Sequence, residues 1–178
     1  YVSFSNIISF LIIFDKIIFI PAFNPPNKDL DNITPVSLRL EMLESAISDN
    51  PKFEISQMEI QRGGISYSLD TISEFKYEYQ LTKNNLYYLI GTDTLAQFDS
   101  WKEPKTIVNE CSVLVAVRPG FNPSNIPNWV LPNIQFANIP RFEISSSNIR
   151  QRWKENKTIR YMVTLPVWEI INKYNLYT

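Results

Sequence analysis

Residues 86–101, LYYLIGTDTLAQFDSW, decide the fold because their pattern changes from strand to loop to helix within one short stretch. The aromatic and aliphatic run at 86–90 predicts a strand buried in a parallel sheet, and Gly91 ends it. Thr92 and Asp93 are predicted to cap the helix that follows, whose first amides point outward at the positive end of the helix dipole. In an open α/β sheet this edge binds nucleotides, so the stretch predicts a nucleotide site. An ordinary capped corner between strand and helix explains the same residues.

The composition is typical of one globular domain. The chain has 178 residues, 44% hydrophobic and 20% charged, which is near the size at which a single core is well buried. We therefore predict one domain over residues 1–178. A net charge of −1 provides no overall field that would attract nucleic acid or an anionic membrane. The single cysteine, Cys111, excludes an internal disulfide, suits a reducing cytoplasm, and is expected to be buried because it lies beside an apolar run.

Several site types are disfavoured by the sequence. The chain has no histidine, which is the commonest general base and metal ligand. No cluster of Cys or His suggests zinc. Neither a Walker sequence nor a GxGxxG sequence occurs, which disfavours a P-loop NTPase and a dinucleotide-dependent dehydrogenase.

The N-terminal run at 1–14, YVSFSNIISFLIIF, carries no charge but is shorter than the roughly 20 residues that span a bilayer. It lacks the basic leader and the small-residue cleavage site of a secretory signal. We therefore expect a buried helix that runs into the first strand. The chain begins with Tyr1 rather than Met, so we also expect further residues upstream of this numbering.

Strands and helices alternate from residue 16 onward. Strands are predicted at 16–20, 53–56, 86–90, 112–117 and 134–137. An amphipathic helix is predicted to start at Thr34, with Pro35 in its first position. Arg39 lies beside its apolar stripe, either as a surface charge or as the partner of an acidic group. Five strands separated by helices predict a doubly wound, Rossmann-like α/β fold with a mostly parallel sheet.

Polar side chains stand at the edge where such sheets bind ligands. The proline-rich loop PAFNPPNK holds Lys28 near the end of the first strand. Hydroxyls and a carboxylate at 66–71 open a helix, and Arg118 follows the fourth strand. Serines at 145–147 open another helix with Arg150 one turn in, an arrangement that suits a phosphate chain. Each cluster is also explained as a solvated loop or a capped helix.

Seven segments resemble, in the right order, the bacterial nicotinate mononucleotide adenylyltransferases of the nucleotidylyltransferase superfamily. They span residues 15–177 and read DKIIFIPAFNPPNK, RLEMLESAI, GGISYSLDTI, YYLIGTDTLAQFDSWK, VAVRPGF, ISSSNIR, and IRYMV with the final NLY. No single segment is decisive. The specificity of the resemblance comes from their number and order.

The resemblance implies an enzyme of NAD biosynthesis. It would join ATP to nicotinate mononucleotide, with Mg²⁺ assisting, and release nicotinate adenine dinucleotide and pyrophosphate. Residues implied to bind ATP are Gly91 and Asp93 at the adenosine ribose, Arg118 in the nucleotide pocket, and Ser145, Ser146 and Arg150 at the phosphates. Residues implied to bind nicotinate mononucleotide are Ser66, Tyr67 and Ser68 at the helix turn, Lys28 at phosphate, and Trp101 stacked on the nicotinate ring.

The implied reaction needs no protein nucleophile. The phosphate of the mononucleotide is already an anion and would attack the α-phosphorus of ATP in line. Positioning and charge neutralisation would then supply the catalysis. ATP and nicotinate mononucleotide are the expected partners, in the cytoplasm, without nucleic acid or membrane. A homo-oligomer is left open.

Two departures from the family pattern bear on activity. Asn27 occupies the place of a histidine that normally precedes Lys28, which keeps a hydrogen-bonding group and loses a charge. The family's first strand and its HxGH motif, which grips the triphosphate, would precede Tyr1. We therefore expect an N-terminally incomplete copy whose residues 1–178 alone are inactive and poorly soluble.

Two further interpretations are left open by the sequence. A degenerate relative would keep this fold as a non-catalytic nucleotide-binding module. A sibling transferase would act on another phosphorylated acceptor such as phosphopantetheine, although Trp101 and the SYSLDT turn oppose this. The preference between the acid and amide mononucleotides also stays open.

Overall fold

The computed structural model describes residues 14–26, 33–117, 121–137 and 144–178. The described chain divides into two compact units. The first unit is built by the described part of residues 66–142, and the second by residues 14–65 together with 143–178. The helix predicted within the N-terminal run, and the residues Asn27, Lys28 and Arg118, lie outside the described part of the chain.

The described residues form five strands and seven α-helices. In chain order they are β1 (Ile17–Phe19), α1 (Val36–Ile47), β2 (Phe53–Ile55), α2 (Met58–Arg62), α3 (Ser68–Tyr79), β3 (Tyr87–Gly91), α4 (Thr92–Leu95), α5 (Pro104–Glu110), β4 (Ser112–Ala116), β5 (Ile134–Ala137), α6 (Ser146–Lys154) and α7 (Leu165–Lys173). All five predicted strands are confirmed. The helices between them confirm the predicted α/β class.

Every strand pairing in the described residues is parallel, as predicted for this fold class. In the second unit β1 pairs with β2, with Ile17 opposite Phe53. In the first unit β4 lies between β3 and β5. The central position of β4 explains its continuous aliphatic sequence, because a strand with partners on both edges and covered faces buries every side chain. Val113 and Val115 are accordingly fully buried.

The core of the first unit forms where the helices pack against this sheet. Leu69, Ile72 and Phe75 recur every third residue on α3 and are buried along one face of that helix. Helix α5 begins with Pro104 at its first position and buries Ile107 and its neighbour. Phe98 is the largest fully buried side chain. Burial of each such side chain contributes about 1.5–3 kcal/mol to folding.

The prediction that β3 is a buried strand is wrong for one of its faces. Tyr87 is 40% exposed and Leu89 is 49% exposed, whereas Ile90 is buried. Successive side chains of a strand point to opposite faces, so only the face of β3 that carries Tyr88 and Ile90 meets the core. The prediction that Cys111 is buried is confirmed.

The second unit combines the β1–β2 pair with α1, α2, α6 and α7. Helix α1 packs against α7, and Nζ of Lys173 lies 3.9 Å from a carboxylate oxygen of Glu41. The prediction that Pro35 is the first helical residue is wrong. Pro35 is the N-cap, because its ψ of 142° is extended, and the helix begins at Val36. Within the described ranges, none of the helices has the length and apolarity to cross a membrane.

Candidate active site

The β3–α4 corner forms where the sequence predicts a nucleotide site, but it is capped differently. Gly91 is both the last residue of β3 and the N-cap of α4, with φ −87° and ψ 164°. The predicted capping by Thr92 and Asp93 is wrong, because both already lie in the first turn of α4 and no side chain caps it. The side chain of Thr92 is instead buried. Asp93 brings a carboxylate to the turn directly after the strand.

Gly91 leaves open space at the carboxyl end of β3. Its φ of −87° is accessible to any residue, so the backbone does not require a glycine there. A Cβ built at this position would meet no heavy atom within 4 Å, so internal packing does not require one either. A glycine that the folded chain itself does not need is suited to the close approach of a ligand to the backbone.

The segment at 66–68 leads into α3 as predicted, although the helix begins only at Ser68. Ser66 is buried, and Tyr67 is the extended N-cap residue. The hydroxyl of Ser68 is hydrogen-bonded to that of Tyr88 on β3, with 2.8 Å between the oxygens. This bond fixes the start of α3 to the sheet.

Trp101 is fixed by aromatic neighbours next to this turn. Its ring meets that of Tyr88 edge to face at 6.2 Å and that of Phe98 at 5.3 Å between centroids. Tyr88 therefore contacts both Ser68 and Trp101, two residues that the resemblance assigns to nicotinate mononucleotide. The side chain of Trp101 is half-buried, so part of its surface remains accessible.

The α6 N-terminus, in the second unit, has the geometry that the sequence predicts. Ser145 is the N-cap, and its Oγ accepts a hydrogen bond from the amide of Asn148 at 3.1 Å. Nη2 of Arg150 reaches back to Oγ of Ser147 at 3.4 Å. Its guanidinium also lies over the ring of Tyr177, 5.8 Å from the centroid. Serine hydroxyls, first-turn amides and a guanidinium are thus assembled at one helix end.

Sequence reasoning missed the role of Arg39. Among the described residues its hydrogen-bond partners are main-chain carbonyls rather than a carboxylate, so it is not a free surface charge. Its guanidinium donates to the carbonyl oxygens of Ala22 at 2.7 Å, Thr34 at 3.0 Å and Phe23 at 3.4 Å. Burial lowers the pKa of Arg39, whereas nearby Tyr177 acts in the opposite direction. The signal available in the sequence was an arginine in a largely apolar helix.

The predicted site residues fall into two groups. The first unit holds those at 66–68 and 91–101, and the second unit holds those on α6. The first-unit group is Ser66, Tyr67, Ser68, Gly91, Asp93 and Trp101, and the second-unit group is Ser145, Ser146 and Arg150. Within the described residues, no group of three or more His, Cys, Asp and Glu side chains could hold a metal ion.

Residues 9–152 match the cytidylyltransferase-like family, so the chain belongs to this family, and its parallel α/β pairing agrees with that. The chain is 37% identical over 171 residues to the "Probable nicotinate-nucleotide adenylyltransferase" of Desulfitobacterium hafniense (strain Y51), covering 92% of this chain and 81% of that protein. It is also 37% identical to the protein of the same name from Moorella thermoacetica, covering 91% and 77%. The chain therefore belongs to the nicotinate-nucleotide adenylyltransferases.

Solved structures support the fold. The Plasmodium falciparum nicotinic acid mononucleotide adenylyltransferase complexed with NaAD matches with a TM-score of 0.76 at 22% identity, covering 97% of this chain and 87% of that one. The same enzyme complexed with APC matches with a TM-score of 0.74. At this level of identity the likeness shows the fold alone, and it confirms the predicted nucleotidylyltransferase type.

Proposed function

We infer that the protein transfers the adenylyl group of ATP to nicotinate mononucleotide, giving nicotinate adenine dinucleotide and pyrophosphate in NAD biosynthesis. Membership of the adenylyltransferase family supports this reaction. The single observation that carries it is the link from Ser68 through Tyr88 to Trp101. It joins a hydroxyl-bearing helix turn to a partly buried aromatic ring, and both features suit a pyridine mononucleotide, which has polar groups and a flat ring.

We propose that the nicotinate ring stacks on Trp101 and that the turn of Ser66, Tyr67 and Ser68 binds the rest of the mononucleotide. Stacking between aromatic rings contributes about 0.5–1.5 kcal/mol beyond the burial of area. The proposal is supported by the fixed orientation of the Trp101 ring, since both Phe98 and Tyr88 hold it. Lys28 stays a predicted phosphate contact.

For ATP, we propose that Gly91 and Asp93 contact the adenosine ribose. The empty space over Gly91 supports a close approach, and the carboxylate of Asp93 is a suitable acceptor for a ribose hydroxyl. We propose that Ser145, Ser146 and Arg150 bind the phosphates, because first-turn amides and a guanidinium both favour phosphate oxygens. Arg118 stays a predicted contact in the nucleotide pocket.

The proposed reaction is an in-line displacement at the α-phosphorus. A phosphate oxygen of the mononucleotide forms the new P–O bond, and the bond between the α-phosphorus and the α–β bridging oxygen breaks. The leaving group is pyrophosphate, which carries away the electron pair. The nucleophile is an anion at neutral pH, so the absence of histidine from the chain does not remove a needed base. The protein contributes orientation of the two nucleotides and neutralisation of phosphate charge.

Mg²⁺ is proposed to enter with ATP. The acidic residues described do not form a protein metal cage, and Mg²⁺ commonly binds through substrate phosphates and few carboxylates. The ion would neutralise charge on the triphosphate. We propose a cytoplasmic location, which the single cysteine of the sequence supports.

The proposed reaction is tested by incubating the full-length protein with ATP and nicotinate mononucleotide. We expect nicotinate adenine dinucleotide and pyrophosphate in equal amounts. Trp101→Ala should raise the KM for the mononucleotide by about fivefold, from the stacking contribution, and leave that for ATP unchanged. Trp129→Ala is the matched control, because Trp129 also packs near Phe98 but is not assigned to the site.

Three outcomes separate the interpretations. Equal effects of Trp101→Ala on both substrates would show that Trp101 is only a core residue. Binding of both nucleotides without product would favour the non-catalytic module. Product formed with a phosphorylated acceptor other than the mononucleotide would favour a sibling transferase.

A further inference from the structure

Lys102 and Asp70 form an ion pair beside the proposed nicotinate site. Nζ of Lys102 lies 2.9 and 3.1 Å from the two carboxylate oxygens of Asp70. The same ammonium lies over the ring of Tyr67, 4.8 Å from its centroid. Asp70 belongs to the first turn of α3, and Lys102 directly follows Trp101 in the sequence. The pair therefore ties the turn at 66–68 to the segment that carries Trp101.

A second tie runs in parallel through Tyr88. Its hydroxyl is bonded to Ser68, and its ring is in edge contact with Trp101. The Lys102–Asp70 pair and the Ser68–Tyr88–Trp101 contacts thus both connect the start of α3 to the segment that carries Trp101, within the first unit. Two independent contacts restrict the separation and the relative orientation of two segments more than either would alone.

The ion pair is too exposed to be a major source of stability. The side chains of Lys102 and Asp70 are 41% and 38% exposed. Pairs of this exposure contribute little to the free energy of unfolding, because water screens them and two side chains lose freedom. The hydrogen bond to Asp70 raises the pKa of Lys102, so the ammonium stays charged throughout the physiological range. An effect of the pair on function would therefore be separable from an effect on folding.

We propose that Lys102 and Asp70 are positioning residues that hold Trp101 at a fixed place relative to the α3 turn, and thereby set the affinity for nicotinate mononucleotide. The inference rests on the proposed function for its ligand. A segment that is already ordered loses less conformational freedom when the ligand binds, which improves affinity without any new contact to the ligand. The pair should not affect ATP.

The variants that test this are Lys102→Met, Asp70→Asn, the double variant and Lys102→Arg. Each single variant should raise the KM and the Kd for the mononucleotide by about two- to fivefold, with kcat and the KM for ATP unchanged. The double variant should be no worse than either single variant, because both remove the same interaction. Lys102→Arg keeps the charge and its donors and should restore the wild-type values.

Lys105→Met is the matched control. Nζ of Lys105 lies 5.7 Å from the centroid of the Trp129 ring in the same unit. The variant therefore removes a contact between an exposed lysine and a tryptophan that is not assigned to the site. It should leave all kinetic constants unchanged. An equal rise in KM in this control, or additive effects of Lys102→Met and Asp70→Asn, would overturn the proposal.

The position of the Trp101 ring can also be monitored without any substrate, so this test does not depend on the proposed reaction. In protein labelled with 5-fluorotryptophan, the ¹⁹F resonance of Trp101 is assigned with Trp101→Phe. We expect Lys102→Met to shift or broaden this resonance and Lys105→Met to leave it in place. An unchanged Trp101 resonance in Lys102→Met would refute positioning, whatever the substrate is. A shifted resonance in a protein that makes no dinucleotide would uphold the positioning and reject the proposed function.

Discussion

Substitution of Gly91 by alanine should separate stability from ATP binding. The folded chain accepts the new methyl group, because φ is −87° and no heavy atom lies within 4 Å of the Cβ position. The unfolded chain loses conformational freedom, which stabilises the protein by about 0.4–1 kcal/mol. For a chain of this size, that is a rise in Tm of about 1–4 °C.

The same methyl group should obstruct the nucleotide. If the adenosine ribose approaches the backbone of Gly91 as proposed, the added methyl occupies the space that the ligand needs. Overpacking by one methyl group costs about 1–3 kcal/mol. At a factor of ten for each 1.4 kcal/mol, the Kd for ATP should rise by about five- to 150-fold. The affinity for nicotinate mononucleotide should stay close to that of the wild type.

Urea unfolding and calorimetric titration measure the two effects on the same samples. Gly63→Ala is the matched control, because its Cβ position is also empty but its φ of 67° is left-handed. That variant should lose about 1–2 kcal/mol of stability from the strained backbone. A destabilised Gly91→Ala protein would contradict the structural argument, and an unchanged Kd for ATP would contradict the proposed ribose contact.

Three further predictions concern single side chains. Arg150→Ala should weaken ATP binding and leave mononucleotide binding intact in calorimetric titrations; an unchanged affinity for ATP would reject the phosphate role. Arg39→Ala should lower the free energy of unfolding by at least about 1.5–3 kcal/mol, which is the net contribution of a single hydrogen bond to a charged group. Arg160→Ala, which removes a guanidinium that lies over the Trp168 ring, should cost less than half as much. Burial raises the pKa of the Cys111 thiol to about 11. As the pH rises, the unfolded chain therefore loses the thiol proton before the folded chain does, and the free energy of unfolding should fall between about pH 9 and pH 11. Cys111→Ala should lack that fall in urea titrations, and an equal fall in both proteins would assign it to other groups.

The strands and the start of α6 could be predicted because their signals are local. The continuous aliphatic run of β4, and the apolar residues at every third position of α3, are visible within a few residues of sequence. Serines at 145–147 predict a helix start in the same way, and Ser145 is the observed cap. These features depend on backbone preferences that neighbouring residues set.

The features that failed depend on contacts between distant residues. Thr92 and Asp93 are residue types that commonly cap helices. In the structure, however, the side chain of Thr92 is buried and Gly91 is the N-cap. The exposed face of β3 depends on what covers the sheet rather than on the strand's own composition. The partners of Arg39 are main-chain carbonyls, which no sequence pattern displays.

The candidate site was predicted in a different way. The assignment of individual residues to ATP or to the mononucleotide comes from the family resemblance, because serines, glycines and a tryptophan at these spacings are common in unrelated folds. The pairing of Lys102 with Asp70 could not be read from the sequence, since the two residues are far apart in the chain. It depends on how the α3 turn and the Trp101 segment pack in the first unit.

The three bonds of Arg39 have a consequence for how chain length can vary. One guanidinium holds the carbonyls of Ala22 and Phe23 at one end of a connection and that of Thr34 at the other. With both ends fixed to α1, the entropy of closing the connection grows only with the logarithm of its length, by about 0.6 kcal/mol for each doubling. A change in the number of residues between Phe23 and Thr34 should therefore cost little folding free energy wherever this arginine is retained.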